Sequence, residues 1–259
     1  MNENDKVRLG GMALPNGVLV HGPRHWACAV RSDGGELRVA SGLKPLRSAE
    51  IESALVRGPA RIAEIFALLP LVRRRLPEAR LPFERPKVLG AMVGAAVVGR
   101  ALRRSALGSL AREGLAAAVA LAPALIAVRG TSLAAYHGAE HIAIGSYDHD
   151  EPRTRENERC GTHLVGPLLV TSAIGGAVAS RAPAEVRPLA RAGVAVGALA
   201  ASVEVFGWML RNSEHPAARA LALPGHALQQ RFVTAEPTAD QLEVAEAALV
   251  ECLRLEQKV

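Results

Sequence analysis

Hydrophobic and polar residues change rhythm several times along the chain. At first the apolar positions come in short bursts, at 18–20 and 26–30, separated by His21-Gly22-Pro23. Ser32-Asp33-Gly34-Gly35 is a turn signal, and 36–40 alternate polar with apolar. Bursts of this length bounded by Gly and Pro read as strands, and the Gly-rich step as a hairpin turn. The pattern therefore predicts a small β-rich hairpin or meander over 1–47, which needs another layer to be stable. From Ser48 the period lengthens. Ile51, Leu55, Ile62, Ile65, Phe66 and Leu69 fall at helical spacing, with Gly58-Pro59 as a break. Arg73-Arg74-Arg75, Pro77, Pro82 and Pro86 follow. Residues 48–86 thus read as an amphipathic helix and a basic, Pro-rich connector.

Four apolar helical runs come next, at about 88–99, 115–128, 164–180 and 192–210. They are apolar nearly all round rather than striped. Small residues recur at helix-packing spacing, Gly90 with Gly94 and Gly193 with Gly197. None reaches the roughly 20 uninterrupted apolar residues of a simple span; Arg100, Arg129, Arg191 and Glu204 bound or interrupt them. A membrane bundle and the buried helices of a soluble bundle both meet this pattern. Arginines lie in the loops on both sides, so loop charge sets no orientation. Residues 213–259 are polar again, with Pro224-Gly225 as a turn. Thr238-Ala239-Asp240-Gln241 resembles a capping box, ahead of an amphipathic helix with Leu242, Ala245, Leu249 and Leu253 on one face. The fold class is mainly α. It comprises a bundle of about four apolar helices over 87–212, the small β region before it and the amphipathic helix after it.

Composition sharpens this picture in two places. The chain of 259 residues carries a net charge of +6 and only 3% aromatic residues. Its arginines are spread out with no aromatic platform beside them, which argues against nucleic acid and suits a membrane surface. Cys28, Cys160 and Cys252 are odd in number and far apart, so no disulfide framework or C-x-x-C pair exists. A reducing, cytoplasmic exposure follows.

Candidate chemistry concentrates at Tyr136-His137-Gly138-Ala139-Glu140-His141, placed where the second apolar run ends. Two histidines four apart share one helix face and can share a divalent cation. The order H-x-x-E-H is that of the inverzincin metallopeptidases, with Glu140 placed as general base. Two histidines do not complete a zinc site; Glu204, Cys160, His149 and His163 are the candidates for a third ligand. Glu204 lies inside the fourth apolar run, where a carboxylate needs a partner. That partner is either the metal or an arginine such as Arg129. In an up-down bundle, His137, His141, Cys160 and Glu204 all reach one end. His21, His25, His215 and His226 read as turn or surface residues. No phosphate-binding P-loop and no G-x-S-x-G elbow occurs.

Several stretches together carry a resemblance. They are Gly10-Gly11-Met12-Ala13-Leu14-Pro15-Asn16-Gly17-Val18 with His21-Gly22-Pro23, then the His137–His141 pentad, Arg159-Cys160-Gly161-Thr162, and Glu236-Pro237 with Gln241-Leu242-Glu243-Val244-Ala245. In this order the chain resembles the YqhQ-like family, regarded as integral membrane proteins and metal-dependent enzymes. The family's G-A-E-H corresponds to Gly138, Ala139, Glu140 and His141, its R-C-G-T to Arg159 through Thr162, and its intramembrane acidic segment to Ser202-Val203-Glu204. Many members carry His-Pro before R-C-G-T, where this chain has Asn157-Glu158. The resemblance implies a multi-pass protein of the cell membrane in contact with lipid. The expectation is a zinc-dependent hydrolase, facing the cytoplasm and acting on a protein or peptide. His137, His141, Glu204 and Cys160 would bind the metal and Glu140 would act as base. The alternative is a non-catalytic membrane scaffold or assembly factor, in which the pentad is a structural polar cluster.

Overall fold

The structure, a computed structural model, describes residues 6–257. Four antiparallel strands, β1 (Gly10–Leu14), β2 (Gly17–His21), β3 (His25–Arg31) and β4 (Leu37–Leu43), form a meander in chain order. β1 has no counterpart in the expected strands: its two glycines and its methionine carry little β signal. In register, Val18 pairs with Ala29 and Val20 with Ala27. The period-2 alternation of β2 and β3 is hydrophobic on both faces, so the sheet is covered on both sides.

One cover is α1 (Ala54–Arg75), whose Leu68, Leu69 and Val72 pack on Leu14, Leu19, Trp26, Cys28 and Val30. Gly58-Pro59 does not break α1, which runs on through Pro59 and again through Pro70; each proline forfeits one backbone hydrogen bond, and packing on the sheet and on α7 holds the helix together. The other cover consists of α5 (Ser132–His149) and α9 (Ala239–Glu256), which pack on Val18, Val20, Ala27 and Ala29. Alanines on this face let the two helices approach closely. The capping box at Thr238 and Gln241 opens α9, and its buried Ala245 and Leu249 lie on the sheet. One core thus draws on the first, middle and last parts of the chain.

Between these layers the chain makes α2 (Pro86–Arg104), α3 (Ser109–Ala120), α4 (Ala122–Val128), α6 (Val165–Ala179), α7 (Arg187–Arg211) and α8 (Pro216–Leu228). The apolar helices pack in chain order: α2 on α3, α3 on α6, α6 on α7. At the end away from the sheet, Arg103 and Arg191 both pair with the buried Glu113, at 2.9 and 3.1 Å. Among the described residues three helical stretches are long and apolar enough to cross a membrane: Ser109–Val128, Gly161–Ala179 and Arg187–Arg211. They leave apolar side chains such as Leu115, Ile174, Val178 and Val196 exposed, which is compatible with membrane association. Pro224-Gly225 lies inside α8 rather than in a turn.

Candidate metal centre

The pentad does not end an apolar run. Gly130, at φ +65°, stops the chain after α4, and α5 begins afresh at Ser132. α5 is closed by Asp150 in the left-handed region. The Lys6 ammonium lies 2.7 Å from the Tyr147 carbonyl and 2.7 Å from the Asp150 carboxylate. A cation on the last carbonyls opposes the negative end of the helix dipole. α5 is buried on both sides. The sheet covers Ala139 and Ala143, while the segments around Arg155 and Ala235 cover the opposite side. Gly138 permits this: a methyl there would sit 2.2 Å from the Ala235 carbonyl oxygen. Gly11 of β1 does the same for the acid, since a side chain there would run into the Glu140 carboxylate.

His137 and His141 are stacked edge-on, with ring centroids 4.3 Å apart. The Nδ1 of His137 lies 2.9 Å from the Val233 carbonyl, and that of His141 lies 2.6 Å from the Arg155 carbonyl. A carbonyl can only accept, so each Nδ1 carries a proton and each Nε2 presents its lone pair. Cys160 comes to the same place. Its Sγ is 3.5 Å from His137 Nε2 and accepts the Thr162 backbone N–H at 3.5 Å. One donor atom from each of His137, His141 and Cys160 lies within 4.8 Å of the other two. His141 is 1% exposed, and its Nε2 is buried with no hydrogen-bond partner. An unpartnered buried nitrogen is costly unless something else binds it. Two imidazoles and a thiol at this separation meet the donor requirement of zinc. The carbonyls on both Nδ1 atoms are the usual outer partners of metal-bound histidines.

Glu140 lies beside the trio, its carboxylate 3.8 Å from His137 Nε2. Burial raises its carboxyl above the usual range, against a smaller opposing pull from His137. Glu204 is not part of the cluster. Arg57 of α1 holds it through both carboxylate oxygens, with Nε–Oε1 at 2.6 Å. The carboxylate of the fourth run does have an arginine partner, and it is Arg57 rather than Arg129. The physical reason is the close approach of α1 and α7 at Gly58, where an added methyl would lie 3.1 Å from Val203. His149 ends α5 on the rim of a cavity, and His163 is buried beside His226 with ring centroids 4.6 Å apart. His25 is buried and His21 half-buried, because both belong to the sheet rather than to a surface turn.

The loop bearing Cys160 is held by a residue without a motif. Gln229 is fully buried. It accepts the Asn157 N–H at 2.9 Å and donates to the Asn157 carbonyl at 3.0 Å and to Thr162 Oγ1 at 2.8 Å. Arg155 donates to the Thr234 carbonyl at 3.0 Å, joining the two segments whose carbonyls orient the histidines. Nothing in the local sequence marks either residue; only Gly10-Gly11, unusual inside a strand, signals the close approach at Glu140.

Fold and site together describe a mainly helical protein with a four-stranded antiparallel sheet at its N-terminal end, candidate membrane helices, and a His-His-Cys cluster. A family profile described as "Protein of unknown function (DUF1385)" matches residues 129–255, a range that holds the trio, Glu140 and Gln229. The chain is 31% identical over 129 residues to "Uncharacterized protein YqhQ" of Bacillus subtilis (strain 168), covering 47% of this chain and 40% of that protein. The chain therefore spans about two fifths of the length of the curated relative it matches. No solved structure matches. Together the profile and the relative support assigning the chain to the YqhQ-like DUF1385 family.

Proposed function

We propose that the protein is a zinc-dependent hydrolase of amide or ester bonds, membrane-associated through its three apolar helical stretches. His137, His141 and Cys160 hold the ion, and Glu140 is the general base. The observation that carries this reading is the pair of Nδ1–carbonyl hydrogen bonds, which leave the Nε2 atoms of His137 and His141 as the free ring donors beside the Cys160 thiol, that of His141 buried without a partner. Zinc held by three protein donors supplies a Lewis acid and lowers the pKa of water in its open position. Val233 and Arg155 fix the imidazole orientations through their carbonyls, and Gln229 fixes the loop that brings the thiol. Glu140 follows from the same helix turn as His141, so its carboxylate stays beside the donors and takes the proton of an attacking water. Burial by the sheet and by the 153–160 segment keeps bulk water away, which strengthens each of these interactions. The cysteines of the described chain are unbridged, which supports a site facing the cytoplasm, and a peptide segment at the membrane face is the proposed substrate.

Elemental analysis of the full-length protein purified in detergent tests the reading. About one zinc per chain is expected. It should be lost in His137→Ala and Cys160→Ala and kept in Glu140→Gln, which should retain metal while losing hydrolysis. Absence of metal from the wild-type chain purified without chelators sinks the proposal. Intact biological activity in Glu140→Gln would instead favour a scaffold with a structural polar cluster.

A further inference from the structure

A cavity of about 900 Å³ opens beside the metal centre, between the N-terminal turns of α1, the end of α5, the 153–159 segment and the last turns of α7. Its walls carry six arginines against four carboxylates. The pairing within it is uneven. Arg57 is taken by Glu204, Arg159 by Asp148 at 3.1 Å, and Arg153 by Glu151 at 2.9 Å. Arg8, Arg61 and Arg211 make no hydrogen bond or ion pair among the described residues. Arg61 stands one helical turn beyond Arg57 on α1, and Arg211 ends α7. Both lie near enough to Glu204 to feel its charge, but that carboxylate already spends both oxygens on Arg57. Like charges gathered in a concavity repel unless an anion joins them, and the low-dielectric walls sharpen the field they make. Val203, Phe206 and Leu210 also line it, from the last turns of α7, a helix long and apolar enough to cross a membrane.

We propose that this cavity binds the phosphate group of an amphipathic anion, with Arg61 and Arg211 as its main contacts and α7 alongside its hydrocarbon. Guanidinium forks match phosphate oxygens two at a time, so two unengaged arginines suit a phosphate better than a single carboxylate. The site does not depend on the metal: its cations come from α1 and α7, outside the His-His-Cys cluster. A phospholipid headgroup and a free phosphate ester share this chemistry, and the position at the end of α7 selects the lipid.

The full-length protein in detergent can be tested by native mass spectrometry with phosphatidylglycerol and phosphatidylcholine, and by thermal shift with glycerol phosphate. Phosphatidylglycerol should be retained preferentially. The Arg61→Gln/Arg211→Gln variant should bind it roughly tenfold more weakly, while Arg74→Gln on the exposed end of α1 should not change it. Arg61→Gln alone removes one exposed, unpaired cation; it serves as the readout should the double variant fail to fold, with roughly threefold weakening expected. Equal retention of both lipids, or unchanged phosphatidylglycerol binding in these variants, overturns the proposal. A saturable thermal shift by glycerol phosphate without lipid preference keeps a phosphate site and overturns the lipid as its source.

Discussion

Gly138 is the narrowest point of the centre, and its replacement by alanine ties the packing of α5 to the chemistry. The added methyl would stand 2.2 Å from the Ala235 carbonyl oxygen, where ordinary contact begins at 3.4 Å. The segment around Ala235 must therefore retreat by roughly 1 Å, since neither partner is a flexible side-chain tip. Retreat strains the Ala235 N–H hydrogen bond to the Ala134 carbonyl, now 2.9 Å. Overpacking costs about 1–3 kcal/mol and a weakened hydrogen bond about 1 kcal/mol. The better helix propensity of alanine returns about 1 kcal/mol, leaving a net loss of about 1–3 kcal/mol. The same retreat carries the Val233 carbonyl away from His137 Nδ1. Loss of such an outer partner typically weakens metal affinity by about 10- to 100-fold. Thermal unfolding in detergent, with zinc affinity read by chelator competition, measures both effects. Gly90→Ala is the control, because nothing lies within 4 Å of its added methyl. Gly138→Ala with wild-type stability and unchanged zinc affinity would refute the reasoning.

Four further outcomes follow from the same geometry. Lys44 and Glu64 form a buried pair at 2.7 Å; Lys44→Met should cost about 3–5 kcal/mol in denaturant unfolding, because it strands a buried carboxylate, while Lys44→Met/Glu64→Leu should recover most of the loss. Burial pushes Glu64 up, but hydrogen bonds from Lys44 and Ser48 outweigh it and hold the carboxyl below the usual range. That contribution is present above the ordinary carboxylate pKa and fades as pH falls through the depressed value, so Glu64→Gln should flatten the acid limb of a stability–pH curve. His21 is lowered from 6.5 to about 4, first by burial and then by Lys44. The unfolded chain binds the proton more readily, so stability should fall as pH drops from about 6.5 to 4, by at most roughly 3 kcal/mol and less because the ring keeps some water contact; the His21→Gln slope isolates it. Burial raises the thiols of Cys28 and of Cys252, the latter to about 12, so a thiol reagent on the folded protein should label Cys160 alone, with protection by added zinc; rapid labelling of Cys28 would contradict the sheet packing.

Local information in the chain reached as far as its elements and one half of the centre. Period-2 bursts marked β2 and β3, the capping residues Thr238 and Gln241 marked the start of α9, and helical spacing alone put His137 and His141 on one face. These features are written within one or two turns of backbone, where spacing and direction are tied by helix and strand geometry. What those residues touch depends on contacts between distant parts of the chain. A carboxylate among apolar residues at 204 announces that it needs a partner, yet any arginine satisfies that need equally in sequence; the approach of α1 and α7 at Gly58 chose Arg57, 147 positions away. In the same way the two imidazoles call for a third donor without naming it. The fold of the 153–160 segment over α5, held by Gln229 from 72 residues away, brought Cys160 rather than Glu204 to them. Side-chain chemistry is a property of the residue, but the company it keeps is decided by how layers remote in sequence pack.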